Sequence, residues 1–235
     1  MSKYDMRNFL KKIKPIHWIA IRGRELIKLN LIGLFSLRFS AEQARKILQF
    51  TEWEVAKFRS PSPQCVKQAT IRRNSKPNSI FIETGTYYGS TTSYLSSFAP
   101  QVISIEPDLN LFNAASKKFS SKENITLYNG ASEEVFPELI PFLKGDVTFW
   151  LDGHFSGGVT FQAQKDTPIC FELEIIETNI SNFNSLCVLI DDFRCFNPSS
   201  PEFKDYPTKS FLVDWAIRNS LNWTVENDIF IARNF

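Results

Sequence analysis

The sequence has little of what marks several large functional classes. Its four cysteines, at 65, 170, 187 and 195, include no C-x-x-C pair, so neither a zinc knuckle nor a disulfide framework is expected. They read as reduced thiols in a cytosolic protein. There are two histidines, His17 and His154, and no facial triad of two His and a carboxylate is visible. The longest uncharged apolar run near the start, Leu29 to Leu37, is nine residues, against about 20 for a bilayer span. That run is followed by no small-residue cleavage site, so neither a membrane-spanning nor a secreted protein is expected. Net charge is small as well, +2, which argues against a strongly basic nucleic-acid binder. What is present is ordinary for a globular chain: 235 residues, 43% hydrophobic and 22% charged, enough for one domain with a core and an appendage.

The charge is unevenly spread. Residues 1–46 hold eleven Lys and Arg against Asp5, Glu25 and Glu42, a balance of +8 that leaves the remainder at −6. Trp18, Ile19, Leu26, Ile27, Leu31, Leu34 and Phe35 are interleaved with the basic residues. Two readings stand side by side. A basic amphipathic helix can lie on an anionic membrane surface, which would place the protein peripherally at the inner membrane. Alternatively, a helix pair caps the domain or forms a homodimer surface, with its lysines solvated.

Further on, 41–59 reads as a helix with Ser40 as N-cap. Residues 60–79, with Pro61, Pro63 and Pro77, read as a linker. Beyond it, short apolar strands (79–83, 101–106, 125–129, 147–151, 187–191) alternate with helical stretches near 90–98, 108–119, 132–143, 168–181 and 208–220. Strands at 223–226 and 229–232, joined through Asn227-Asp228, read as an antiparallel hairpin on one edge. The expected architecture is α/β: a Rossmann-like, doubly wound, mostly parallel seven-stranded sheet with a C-terminal hairpin. The expected domains are a basic helical extension over 1–60, a linker over 61–78 and the main domain over 79–235.

In such sheets ligands bind beyond the carboxyl ends of the strands. The first strand runs into Glu83-Thr84-Gly85-Thr86-Tyr87-Tyr88-Gly89-Ser90-Thr91. Two glycines four apart allow a tight turn and close ligand approach, and the next helix offers free N–H groups. G-x-G-x-x-G would need Gly where Tyr87 stands, which disfavours a nicotinamide site. An acid two residues before the first Gly suits the cationic amino group of an S-adenosylmethionine. Glu106, ending the second strand, can accept from both hydroxyls of a ribose, as NAD folds also do. Gly130-Ala131-Ser132 ends the third strand with small residues that can pass beside an adenine ring. The fourth and fifth strands end in Asp152-Gly153-His154 and Asp191-Asp192. Three neighbouring acids repel unless something positive sits among them, and a hard divalent cation, Mg²⁺, is the expected answer.

From Phe81 to Phe196 the chain resembles the class I S-adenosylmethionine-dependent methyltransferases, and among them the metal-dependent O-methyltransferases of the catechol and macrocin/mycinamicin sugar types. The residues carrying the resemblance are Glu83-x-Gly85-x-Tyr87-x-Gly89-x-Thr91, Glu106-Pro107-Asp108, Gly130-Ala131-Ser132, Asp152 and Asp191-Asp192. It implies a cofactor site of Glu83, Gly85, Thr86, Tyr87, Gly89, Thr91, Glu106, Ala131, Ser132 and Asp152, and magnesium on Asp152, Asp191 and Asp192. The Asp-Gly-His-Phe-Ser run also resembles a signature of bacterial methyltransferases associated with surface polysaccharides and secondary metabolites. The catechol enzyme's catalytic Lys position is Phe155 here, so His154 or Asp152 is the expected base. The implied reaction is O-methylation of a sugar, glycan or other vicinal-oxygen small molecule. Open beside it are a metal-independent methyltransferase of the same fold, a cephalosporin-type hydroxylase, and a cofactor-binding scaffold docked through its basic N-terminus. The loop 153–167 is the expected lid, and 194–208 the other expected acceptor wall. Glu172, Glu174 and Glu177 read as a solvated helix face.

Overall fold

A computed structural model describes residues 40–152 and 167–235. The chain divides into two compact units between Phe58 and Arg59. In the first, α1 (Ala41–Val55) opens on a capping box: the Gln43 N–H donates to Ser40 Oγ at 3.3 Å and the Ser40 N–H to Gln43 Oε1 at 2.9 Å. The helix stops short of the expected residue 59 because Lys57 and Phe58 take left-handed backbone, each with φ 57°. Most of the basic N-terminal segment, residues 1–39, lies outside the described residues, and with it the membrane and dimer readings.

The second unit holds the sheet. Its elements in chain order are α2 (Gln64–Asn74), β1 (Ile80–Thr84), α3 (Ser90–Leu95), β2 (Gln101–Glu106), α4 (Leu109–Lys118), β3 (Ile125–Asn129), α5 (Ser132–Leu139), β4 (Gly145–Leu151), α6 (Ile169–Thr178), β5 (Phe183–Ile190), α7 (Lys209–Arg218), β6 (Asn222–Glu226) and β7 (Ile229–Arg233). The strand order is β3-β2-β1-β4-β5-β7-β6. The first five strands are parallel, and β7 runs antiparallel to both β5 and β6. This is the expected α/β sheet with its edge hairpin. Asn227 and Asp228 turn the hairpin with φ 53° and 67°, as a two-residue turn matching strand twist requires.

Strand alternation sorts the core onto two faces. Ile82, Phe149, Leu151, Val188, Ile190 and Phe230 point to one side, where Phe136 of α5, Leu173 of α6 and Trp215 of α7 meet them. Phe81, Val102, Trp150, Leu189 and Ile231 point to the other, where Ile71 of α2 and Leu95 of α3 cover them. The segment read as a linker therefore contains a core helix. Its buried residues are largely polar, Gln68, Thr70 and Asn74 beside Ile71, and they are satisfied by specific bonds. Asn74 Nδ2 donates to Glu226 Oε2 at 2.9 Å, and Asn227 Nδ2 to Thr70 Oγ1 at 2.9 Å. Among the described residues no helix is long and apolar enough to cross a membrane.

Candidate functional site

β1 and β2 end side by side, with Thr84 paired to Ile105. The chain leaves β1 through Gly85 (φ 87°), Tyr87 (φ 50°) and Gly89 (φ 67°). At Gly89 a side chain has no room, because a Cβ would lie 2.6 Å from the Phe119 ring. The turn is pinned from below: the Gly85 N–H donates to Ile105 O at 3.0 Å, and Thr86 Oγ1 meets Ser104 Oγ at 2.6 Å. Lys118 closes it from the side by donating to Tyr88 O at 2.7 Å and Gly89 O at 3.1 Å. Thr91, the second residue of α3, accepts from Gln64 of α2 at 2.7 Å.

Glu106 is 4% exposed at the end of β2. Its Oε2 accepts from the Tyr87 N–H at 2.7 Å and its Oε1 from the Asp108 N–H at 3.0 Å. Each oxygen thus retains acceptor capacity while the carboxylate is held in one orientation. Burial, outweighing those two backbone donors, raises its pKa above the ordinary value. β3 is tied to the same strand end, with Gly130 N–H donating to Glu106 O at 3.2 Å. Ala131 and Ser132 then start α5 beside it. Glu83 is wholly buried, and its Oε2 accepts from Thr92 Oγ1 at 2.5 Å and Ser104 Oγ at 2.6 Å. Burial pushes its pKa up to about 7 against those two donors, with Glu106 adding to the rise.

β4 and β5 end on the other side of β1. Asp152 N–H donates to Thr84 O at 3.3 Å, and Asp191 N–H to Leu151 O at 3.1 Å. Asp152 is half-buried, whereas Asp191 is 2% exposed. The positive charge among these acids comes from the chain itself. Lys67, one turn before the buried Ile71 on α2, lies on the same helix face and pairs with Asp191. It also reaches Asp192 Oδ1 at 3.4 Å. Burial opposes its charge, but Asp191, then Asp152 and Asp192, outweigh burial and hold the ammonium above its ordinary pKa. Asp192, in left-handed backbone with φ 53°, accepts from Arg194 Nη1 at 2.6 Å, and Arg194 is also paired to Asp228.

The expected magnesium site finds no support. Among the described residues no group of three His, Cys, Asp or Glu is arranged to hold a metal ion. Asp191 Oδ2 and Asp192 Oδ1 accept from Lys67, and Asp192 Oδ1 also accepts from Arg194. The sequence reading passed over Lys67 because it lies in a stretch with three prolines and few apolar residues. Its spacing of four from Ile71 was the available signal.

Next to Asp191 lies a small cavity with room for about one water molecule. Leu151, Thr167, Glu172, Ile190, Phe196 and Tyr206 are among the residues lining it. Glu172 is 1% exposed, so it belongs to this cavity and not to the solvated face expected of it. Glu174 does lie exposed, and Glu177 pairs with Arg218 at 2.7 Å. Phe196 and Tyr206 come from the segment expected as an acceptor wall. His154 and residues 153–166 of the expected lid lie outside the described residues.

No family model matches the chain, and no curated protein matches it. Solved structures do. A Staphylococcus aureus protein carrying the name of a caffeoyl-CoA O-methyltransferase superposes with a TM-score of 0.51 at 17% identity, over 88% of this chain and 98% of that one. An rRNA methylase from Streptococcus thermophilus reaches 0.44 at 14% identity, over 74% and 96%. Aeropyrum pernix fibrillarin, with natively bound S-adenosyl-L-methionine, also reaches 0.44 at 14% identity, over 71% and 73%. The first of these likenesses, with the strand order and edge hairpin, defines the fold as the Rossmann-like α/β fold of class I methyltransferases.

Proposed function

We propose that the chain is an S-adenosylmethionine-dependent methyltransferase acting on a hydroxyl oxygen of a small vicinal-oxygen acceptor such as a sugar. The observation that carries the reading is Glu106. It is a buried carboxylate at the end of β2, held by two backbone N–H groups and retaining acceptor capacity for a ribose diol. Two further features fit the cofactor. The glycine turn after β1 lets the backbone approach a ligand closely. Thr84 Oγ1, at the same strand end, is buried without a hydrogen-bond partner among the described residues, a cost that a polar ligand can relieve.

When bound, S-adenosylmethionine supplies a methyl group activated by its sulfonium charge. The residues of this chain would do the rest. Glu106 and the turn from Gly85 to Gly89 fix the nucleoside end. Asp152, just beyond the end of β4 with its N–H bonded to Thr84 O, takes the proton from the acceptor oxygen as that oxygen forms its bond to the methyl carbon and the carbon–sulfur bond breaks. Thr167, Glu172 and Tyr206 line the small cavity beside Asp191. Holding two reactants in line supplies about 7–11 kcal/mol of a barrier of this kind, so positioning is the main contribution asked of the site.

The test is transfer from methyl-labelled S-adenosylmethionine to a panel of sugars with adjacent hydroxyls. Labelled ether product from the wild type, with Asp152→Asn losing at least about 100-fold in turnover while still binding the cofactor, is the expected result. Full turnover by Asp152→Asn would remove Asp152 from the role of base, and label appearing only on nitrogen acceptors would overturn O-methylation.

A further inference from the structure

We infer that Lys67 stands in the place of a divalent cation among Asp152, Asp191 and Asp192, and that this strand-end cluster is built to work without metal. The inference concerns what neutralises the acids and does not depend on which methyl acceptor, or which cosubstrate, the protein uses.

The cluster needs a cation. Asp191 carries a side chain with 0% exposure, and Asp192 follows it in sequence with 12%. Two adjacent buried carboxylates, with a third whose charge reaches the same point, repel strongly in a medium of low dielectric. The chain answers with two donors of fixed charge. Lys67 reaches Asp191 and Asp192 together from α2, and its side chain is only 13% exposed. Arg194 takes Asp192 from the other side while anchored to Asp228.

Three of the four oxygens of Asp191 and Asp192 are already engaged by donors of the chain. Asp191 Oδ2 accepts from Lys67, and Asp191 Oδ1 accepts from the Asp192 N–H at 2.8 Å. Asp192 Oδ1 accepts from both Lys67 and Arg194. A magnesium ion needs several oxygens arranged in a near-ideal octahedron, and here it would have to expel an ammonium that the fold itself delivers.

That delivery is part of the architecture. Lys67 lies four residues before Ile71, which is 0% exposed against the sheet. Around it α2 is tied down by Gln64 to Thr91, Gln68 to Ser90 O, and Asn74 to Glu226. An ammonium differs from a divalent ion in chemistry. It donates hydrogen bonds and carries a single charge, but it does not bind and acidify an acceptor hydroxyl as a metal does. Proton removal then rests on a carboxylate of the site.

The experiment is thermal melting of the full chain with millimolar Mg²⁺ and with EDTA, for wild type, Lys67→Met and the double variant Lys67→Met/Asp191→Asn. Wild type is expected to melt within about 1 °C in the two conditions. Lys67→Met is expected to melt about 5 °C or more lower in EDTA and to regain most of that loss in Mg²⁺, because emptying the position exposes three acids to the ion. The double variant, with one charge removed from each side, should regain stability without any response to Mg²⁺. Stabilisation of the wild type by Mg²⁺ of the size expected for Lys67→Met would overturn the inference, as would a Lys67→Met protein that folds and ignores the ion. Should Lys67→Met fail to fold in either condition, Mn²⁺ added to wild type decides the matter. Retention of the free-ion resonance signal is expected, and saturable loss abolished by Asp191→Asn would contradict it. None of these readings uses S-adenosylmethionine, so failure of the methyltransferase proposal would register separately, as absence of cofactor binding.

Discussion

At the ends of β1 and β2, Glu83 and Glu106 are surrounded by neutral donors: two hydroxyls for one, two backbone N–H groups for the other. At the ends of β4 and β5, Asp191 and Asp192 face an ammonium and a guanidinium. The two regions carry the same residue class at equivalent places in the sheet, yet they manage buried charge differently. Neutral donors stabilise a carboxylate without cancelling its charge, so burial prevails and the pKa rises. That suits a surface that must still attract hydroxyl or ammonium groups of a ligand. Cations offset part of the burial cost and lock the geometry of the pair, although burial still raises the pKa of Asp191 above its ordinary value.

The sharpest way to break the contrast is to remove a charge from the ion-paired region. Asp191→Ala leaves Lys67 buried with its main partner gone. Loss of one member of a buried pair costs about 3 kcal/mol or more, a fall in melting temperature of about 6–12 °C for a chain of this size, readable by circular dichroism. A loss no larger than that of a surface variant would mean the pair contributes little.

Removing charge from the other region should affect binding more than folding. Glu106→Gln keeps the shape and gives up the charge-assisted bonds to a ribose, so cofactor affinity should fall about 10- to 100-fold with little change in melting temperature. Calorimetry on the variant checks this. A third change sharpens the contrast through pH. The folded pKa of Glu83 is raised from 4.5 to about 7. Between those values the folded chain holds a proton that the unfolded chain has released, so this group makes stability fall as pH rises through the window, and its full cost is present above it. Glu83→Gln should flatten that fall, as seen in melting temperatures taken across the same range. A slope equal to wild type would show that Glu83 is not its source. The smallest effect belongs to neither region. Arg218 and Glu177 pair at 2.7 Å on the surface, with side chains 48% and 32% exposed, and Arg218→Ala should cost no more than about 0.5 kcal/mol in urea unfolding.

The regions also differ in how far they could be read in advance. The strands at 101–106 and 125–129 and the hairpin turn at Asn227-Asp228 are local features, set by apolar runs and turn chemistry, and they stand where the sequence places them. The same holds for the glycine turn after Glu83. α2 was not legible, because its buried positions are Gln68, Thr70 and Asn74 and no apolar stripe announces it. Those residues are held inside through partners 22 to 157 residues away, such as Ser90 and Asn227. Lys67 lies in that helix, so the strand ends alone do not reveal the ammonium paired with Asp191. Glu172 was misjudged for a related reason: Glu172 and Glu174 lie on different faces of α6, which a run of acids does not reveal.

The central claim is that the neutral-donor end of the sheet binds a nucleoside cofactor while the ion-paired end needs no metal. Calorimetric titration of the full chain with S-adenosylmethionine and its demethylated product, in Mg²⁺ and again in EDTA, tests both parts together. Micromolar binding of equal strength in the two conditions is the expected result. No binding of either form would contradict the cofactor site, and binding that disappears in EDTA would contradict the metal-free cluster.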